Sequence, residues 1–164
     1  MQKVVITGHD LTVDQIIAVC REGAEVVLSD ESREKILASR QVVNELVEER
    51  KVVYGITTGF GKFSDVVISQ DECKLLQKNL IITHAVGAGD PFKEDIARGI
   101  LLLRVNSLSN GFSGICLETV ETMIAMLNKG VTPFIPEKGS LGASGDLAPL
   151  SHMVLPMIGW NGLV

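Results

Sequence analysis

Positive charge is in short supply in this sequence. Fifteen Lys and Arg stand against twenty Asp and Glu, a formal charge of −5, and the pI is near 5.2. A phosphate-binding surface needs clustered cations, and no basic patch is visible, so no nucleic-acid partner is expected. Cysteine is equally sparse. Cys20, Cys73 and Cys116 are odd in number and widely spaced, with no Cys-x-x-Cys pair and no histidines at ligand intervals. That excludes a disulfide framework and gives no metal site, so all three are read as free, reduced thiols. Long apolar runs are missing too. The start Met1-Gln2-Lys3-Val4-Val5-Ile6 lacks the apolar core of a leader, and no window reaches the ~18 apolar residues of a membrane span. The expectation is a cytoplasmic protein without a membrane partner. Aromatics make up only 4% of residues while hydrophobics reach 46%, which describes an aliphatic, folded chain rather than a disordered one. The apolar excess also fits a buried interface. A length of 164 residues suits one domain, 1–164, with no internal repeat or low-complexity tract to divide it.

What is there reads as mainly α with a small β element near the N-terminus. Lys3 to Thr7 and Glu25 to Leu28 are short β-branched runs. Between them Thr12 and Gln15 form a capping box for a helix that stops at Gly23. Ile36, Val43, Leu46 and Val47 share one face of a long helix over 30–50. Ser69 and Glu72 form a second capping box, for a helix through Leu75, Leu80 and His84. Asp90 and Pro91 are expected as N-cap and first-turn proline of a helix ending near Asn110-Gly111. Ser113 is expected to cap another, running to Gly130. The stretch 131–145, with two prolines and three glycines, is expected to be loop. Asp146, with Pro149 in the first turn, opens a last helix whose positive N-terminal end faces the preceding residues.

Those preceding residues are the most informative in the chain: Gly139-Ser140-Leu141-Gly142-Ala143-Ser144-Gly145-Asp146-Leu147-Ala148-Pro149-Leu150. Small residues let one amide approach another closely. If the Gly145 nitrogen attacks the Ala143 carbonyl and water is also lost from Ser144, the product is a methylidene-imidazolone, an electron-poor alkene that ordinary side chains do not supply. Asp146 is read either as bonding near Ser144 or as capping the helix. The other glycine-rich stretch, Gly55 to Gly61, is one residue too long for a phosphate loop, and Lys62 precedes Phe63 rather than Ser or Thr. Gly139, Gly142 and Gly145 likewise miss the dinucleotide spacing.

The 139–150 run, with Tyr54-Gly55-Ile56-Thr57-Thr58-Gly59-Phe60-Gly61, Asn79-Leu80-Ile81-Ile82-Thr83-His84 and Arg104-Val105-Asn106-Ser107-Leu108 in that order, resembles the histidine and aromatic amino acid ammonia-lyases and their aminomutase relatives. The likeness is strongest to the N-terminal part of the histidine-specific members. It implies the helical ammonia-lyase fold and a 4-methylidene-imidazol-5-one formed autocatalytically from Ala143, Ser144 and Gly145, with no external cofactor. It also implies an amino acid substrate and a homotetramer whose active sites combine loops from several subunits. By the same resemblance Tyr54 removes the substrate's β-proton, for which a phenol, with its usual pKa near ~10, needs donors or positive charge beside it. Gly61 matches a backbone position that touches substrate. His84 matches the position facing the substrate ring, where imidazole suits a polar ring and would be left unsatisfied against phenyl.

The activity implied is loss of ammonia from L-histidine to give urocanate. A tyrosine ammonia-lyase or a 2,3-aminomutase shares every motif quoted, and Thr83 replaces the serine usual before the histidine in histidine-specific members. The family's chains are longer, and its substrate-carboxylate arginine and second tyrosine lie beyond residue 164. The expectation is therefore a truncated segment, inactive alone or serving as a non-catalytic assembly subunit.

Overall fold

The structure is a computed structural model; it describes residues 2–58 and 70–159, the side chains of 70–74 excepted. Cys73, Gly61 and the Ser69–Glu72 capping box lie outside the residues so described.

The first unit is a strand, a helix and a second strand. Strand β1 (Lys3–Ile6) and strand β2 (Glu25–Leu28) pair in parallel, Val4 opposite Val26 and Ile6 opposite Leu28. Helix α1 (Val13–Arg21) makes the crossover, and both halves of the expected capping box form: the Thr12 hydroxyl receives the Gln15 amide while the Gln15 side chain receives the Thr12 amide. Alternation in each strand sends Val4, Ile6, Val26 and Leu28 inward. Helix α2 (Asp30–Glu48) follows at once, capped by the Ser29 hydroxyl on the Ser32 amide. Of the apolar positions expected on its inner face, Ile36 is fully buried and Val43, Leu46 and Val47 are half-buried.

The core is centred on α4 (Glu94–Leu108) and α5 (Leu117–Lys129), which pack against each other, against α1 and against β2. Leu101, Leu102, Val105, Val120 and Met123 are all but inaccessible to solvent. Arg98 is buried with them. Its guanidinium donates to the carbonyls of Val19 and Leu127 at 3.0 and 3.2 Å, closing the C-terminal turns of α1 and α5 with the positive charge those ends favour.

Two expected helix starts are displaced. Ala88–Pro91 is strand β3, paired antiparallel with β4 (Pro136–Lys138), and the Phe92 amide extends the pairing to the Ile135 carbonyl. A residue before proline favours extended backbone, so Asp90 continues the strand and α4 begins only after Lys93. The same pairing puts a short strand inside 131–145, which was expected to be loop throughout. Helix α5 starts after Cys116, without a side-chain cap, rather than after Ser113. The reason lies on α2, where the Ser39 hydroxyl accepts the Gly114 amide and Arg40 donates to the Gly114 carbonyl. Those bonds hold 113–115 against α2 and defer the helix.

Helix α3 (Gln70–His84) packs against α6 (Leu147–Val154) and the 3-10 turn Leu155–Ile158 beyond it. The two short strands lie between α3 and α6 in sequence and join the segment that follows α3 to the one that leads into the 139–145 loop. No helix among the described residues is long and apolar enough to cross a membrane.

Candidate functional site

A cavity of about 220 Å³ opens where the end of α3 meets the loop before α6. Thr83, His84 and Val86 form one wall, and Ser140, Ser144, Gly145 and Leu147 form the facing one. Two motifs separated by about sixty residues, which the resemblance gave as ring reader and electrophile source, thus share one space. Both walls are accessible, and Leu141 is fully exposed at the rim.

The loop's shape suits the ring closure read from its composition. Gly145 sits at φ +72°, the left-handed region that favours glycine, and no neighbour lies within 4 Å of where a Cβ would be. The Ser140 hydroxyl donates to the Gly145 carbonyl across the loop and bends 140–145 back on itself. Asp146 occupies the N-cap position of α6, but its carboxylate makes no capping bond. Of its two readings, side-chain capping is therefore not what this structure contains. The positive end of α6 is directed at the loop by chain connectivity alone.

On the opposite wall, His84 Nδ1 lies 2.7 Å from the Leu80 carbonyl. A carbonyl only accepts, so Nδ1 carries a proton, and in the neutral ring Nε2 is the acceptor. The Thr83 hydroxyl donates to that same carbonyl at 3.1 Å, which braces the turn carrying the imidazole.

The other expected site residues are placed differently. Ala143 does not line the cavity, although both its neighbours do. Tyr54 stands on a turn after α2, 62% exposed, and is not part of the cavity wall. That turn is held by the Thr57 hydroxyl, which donates to Lys51 and accepts from the Val53 amide. Gly61 lies outside the described residues. Among the described residues no cluster of metal-ligating side chains occurs; Cys20 and Cys116 are free, and burial pushes the Cys20 thiol pKa upward.

Sequence reasoning missed one residue beside the cavity. His152, on α6, accepts the Gly87 amide on Nε2 at 2.9 Å, and burial lowers its pKa. Its sequence signal, a histidine two turns after the loop on the helix that carries it, is too common to single out.

Comparison with known proteins identifies the chain's relatives. A family model described as aromatic amino acid lyase matches residues 11–164. A histidine ammonia-lyase of Caldanaerobacter subterraneus subsp. tengcongensis is 62% identical over 159 residues, covering 97% of this chain and 31% of the relative. The crystal structure of histidine ammonia-lyase from Trypanosoma cruzi is 43% identical with a TM-score of 0.88, over 96% of this chain and 30% of that one. Tyrosine aminomutase from Streptomyces globisporus is 37% identical with a TM-score of 0.87, over 96% and 29%. This chain thus spans just under a third of the length of the proteins it matches.

Proposed function

The chain belongs to the aromatic amino acid lyase family, and from that premise we propose that it supplies the electrophile-forming loop and the ring-reading wall of a histidine ammonia-lyase. The observation that carries this reading is the shared cavity of His84 and Ser144. The reaction is the elimination of ammonia from L-histidine to give urocanate. The Cα–N bond breaks, a β-proton is lost, and the pair left at the β-carbon becomes the new double bond, without net oxidation. Ala143, Ser144 and Gly145 fit the family's 4-methylidene-imidazol-5-one, since the backbone is bent, accessible and already left-handed at Gly145. When formed, that group supplies an electrophile for the substrate.

The chain's own residues then divide the remaining work. His84 presents Nε2 as an acceptor, so it favours a substrate ring that carries an N–H or O–H donor and leaves a phenyl ring unmatched. Tyr54, accessible on its turn, is assigned the β-proton. Gly61 is assigned a backbone contact to the substrate. Further chain segments and further subunits, in a homotetramer in the cytoplasm, complete the site.

A tyrosine substrate also offers a donor to His84, and an aminomutase begins with the same elimination, so product analysis separates these. In the completed assembly, L-histidine is expected to give ammonia and urocanate. Ammonia from L-tyrosine in preference, or a β-amino acid product, would replace the histidine lyase reading. The chemistry itself is tested by intact mass. Loss of two waters, mapped to the peptide containing Ser144 and abolished by Ser144→Ala, is expected; an unmodified mass overturns the proposal.

A further inference from the structure

The wall that carries His84 and the loop that carries Ser144 are joined behind the cavity. His152 Nε2 accepts the Gly87 N–H at 2.9 Å, linking α6 to the segment that follows α3 across 65 residues of sequence. An imidazole nitrogen accepts only with its lone pair free, so this ring is neutral with its proton on Nδ1. Gly87 has no space for any other side chain: a Cβ there would lie 2.8 Å from Pro136 Cγ and 2.9 Å from His152 Nε2. Gly139 leans on the same backbone, where a Cβ would come within 2.9 Å of Gly87 Cα and 3.1 Å of the Val86 carbonyl. His152, Gly87 and Gly139 therefore form a stack without slack. Gly87 is three residues past His84, and Gly139 is the first residue of the loop that ends at Gly145.

We propose that His152 is a positioning residue for the Ser144 loop: by holding the Gly87 amide it fixes the backbone against which Gly139 rests, and so sets the Ser140–Gly145 wall of the cavity against His84. His152 is not among the cavity-lining residues and is given no contact with substrate. The inference rests on the proposed ring closure at Ala143-Ser144-Gly145, in which the Gly145 N–Ala143 C bond forms and two waters leave. Closure needs a loop held in one bent shape, and free movement of Gly139 would spread the loop over many shapes.

Among the described residues, the titratable side chains on the elements around His152 are Lys78 and His84 on α3, Asp90 on β3, Glu137 and Lys138 on β4, and Asp146 ahead of α6. Burial alone is what lowers its pKa.

The test compares the wild-type chain with His152→Gln, whose amide oxygen reaches the position of Nε2 and still accepts, and with His152→Leu, which cannot. Folding is followed by circular dichroism and dehydration by mass. Dehydration about tenfold slower or worse in His152→Leu, restored to within a few-fold of wild type by His152→Gln, is expected. Equal dehydration in all three overturns the role of His152 while leaving the proposed chemistry intact. A wild-type chain that never dehydrates overturns the chemistry and the role together. Should His152→Leu fail to fold, the amide resonance of Gly87 decides. In the wild-type chain it is expected to move with one apparent pKa below the ~6.5 of a free imidazole, and to lose that titration in His152→Gln; a Gly87 resonance indifferent to pH overturns the proposal.

Discussion

Asn128 pairs with Val26 as a third strand would. Its Oδ1 accepts the Val26 amide at 2.8 Å and its Nδ2 donates to the Val26 carbonyl at 2.9 Å, on the edge of β2 that β1 does not occupy. One side chain at the end of α5 thereby satisfies both main-chain groups of a fully buried residue. Asn128→Ala leaves both unpaired and is expected to cost about 2 kcal/mol in urea unfolding. Asn128→Asp keeps the acceptor but sets a carboxylate oxygen against the Val26 carbonyl, so it should be no milder than alanine.

Arg98 serves a similar end with a charge. Its two bonds to Val19 and Leu127 close two helix termini inside the core, at a side chain only 8% exposed. Arg98→Met keeps much of the packing but strands both carbonyls, and a loss of roughly 3 kcal/mol in unfolding free energy is expected. Both bonds are donated by one nitrogen, Nη2; a lysine Nζ stands one bond closer to its backbone, so Arg98→Lys keeps the charge but falls short of the two carbonyls and should recover less than half of the loss. Full recovery with Lys would show that charge, not geometry, is what Arg98 contributes.

The contrast between Thr12 and Asp90 shows what could be read from sequence alone. Thr12 and Gln15 satisfy each other within one turn, so the motif contains its own partners and forms as expected. Asp90-Pro91 looks like a helix start only if nothing outside the turn competes. Here β4 competes, and Ile135 takes the Phe92 amide from 43 residues away. Ser113 is overruled in the same manner by Ser39 and Arg40 of α2.

Ser140 offers a test of the loop's shape. Its hydroxyl is exposed and its partner, the Gly145 carbonyl, belongs to the ring-forming tripeptide. Ser140→Ala is expected to change global stability by no more than about 0.5 kcal/mol, because neither residue is buried. It should nevertheless slow loss of water at Ser144, since the bend then depends on backbone preference alone. Ser140→Thr keeps the hydroxyl and should stay close to wild type. Intact-mass time courses on the three chains measure this directly, and identical rates would mean that the bond has no part in shaping the loop.

Ser144 was legible from its run of small residues, and His84 only through the family resemblance that its own run carries. Their meeting in one cavity was not, since it depends on α3 packing against α6 and on the β3–β4 pairing. The role of His152 was hidden for the same reason. Its partner is a backbone amide, and a backbone amide has no letter in the sequence.

The pH dependence of stability isolates that hidden contact. Burial lowers the pKa of His152 in the folded chain, while in the unfolded chain it titrates near ~6.5. Between those two values the unfolded state binds more protons than the folded one, so unfolding free energy rises with pH through this window. Above ~6.5 the contribution is complete; it declines as pH falls and levels off once the folded state is also protonated. Protonation also removes the lone pair that receives the Gly87 amide, which opposes folding in the same sense. Carboxylates such as Glu31, whose pKa is lowered first by its hydrogen bond from Lys35 and then by that residue's charge, act below about pH 5. The interval from roughly pH 5 to 7 therefore belongs largely to histidine. Urea unfolding across that interval is expected to show wild-type stability declining toward acid relative to His152→Gln, which does not titrate, so that the difference between the two chains narrows or reverses as pH falls. A difference that stays constant from pH ~7 to ~5 would mean that His152 binds protons equally in both states, and the neutral acceptor described for it would be wrong.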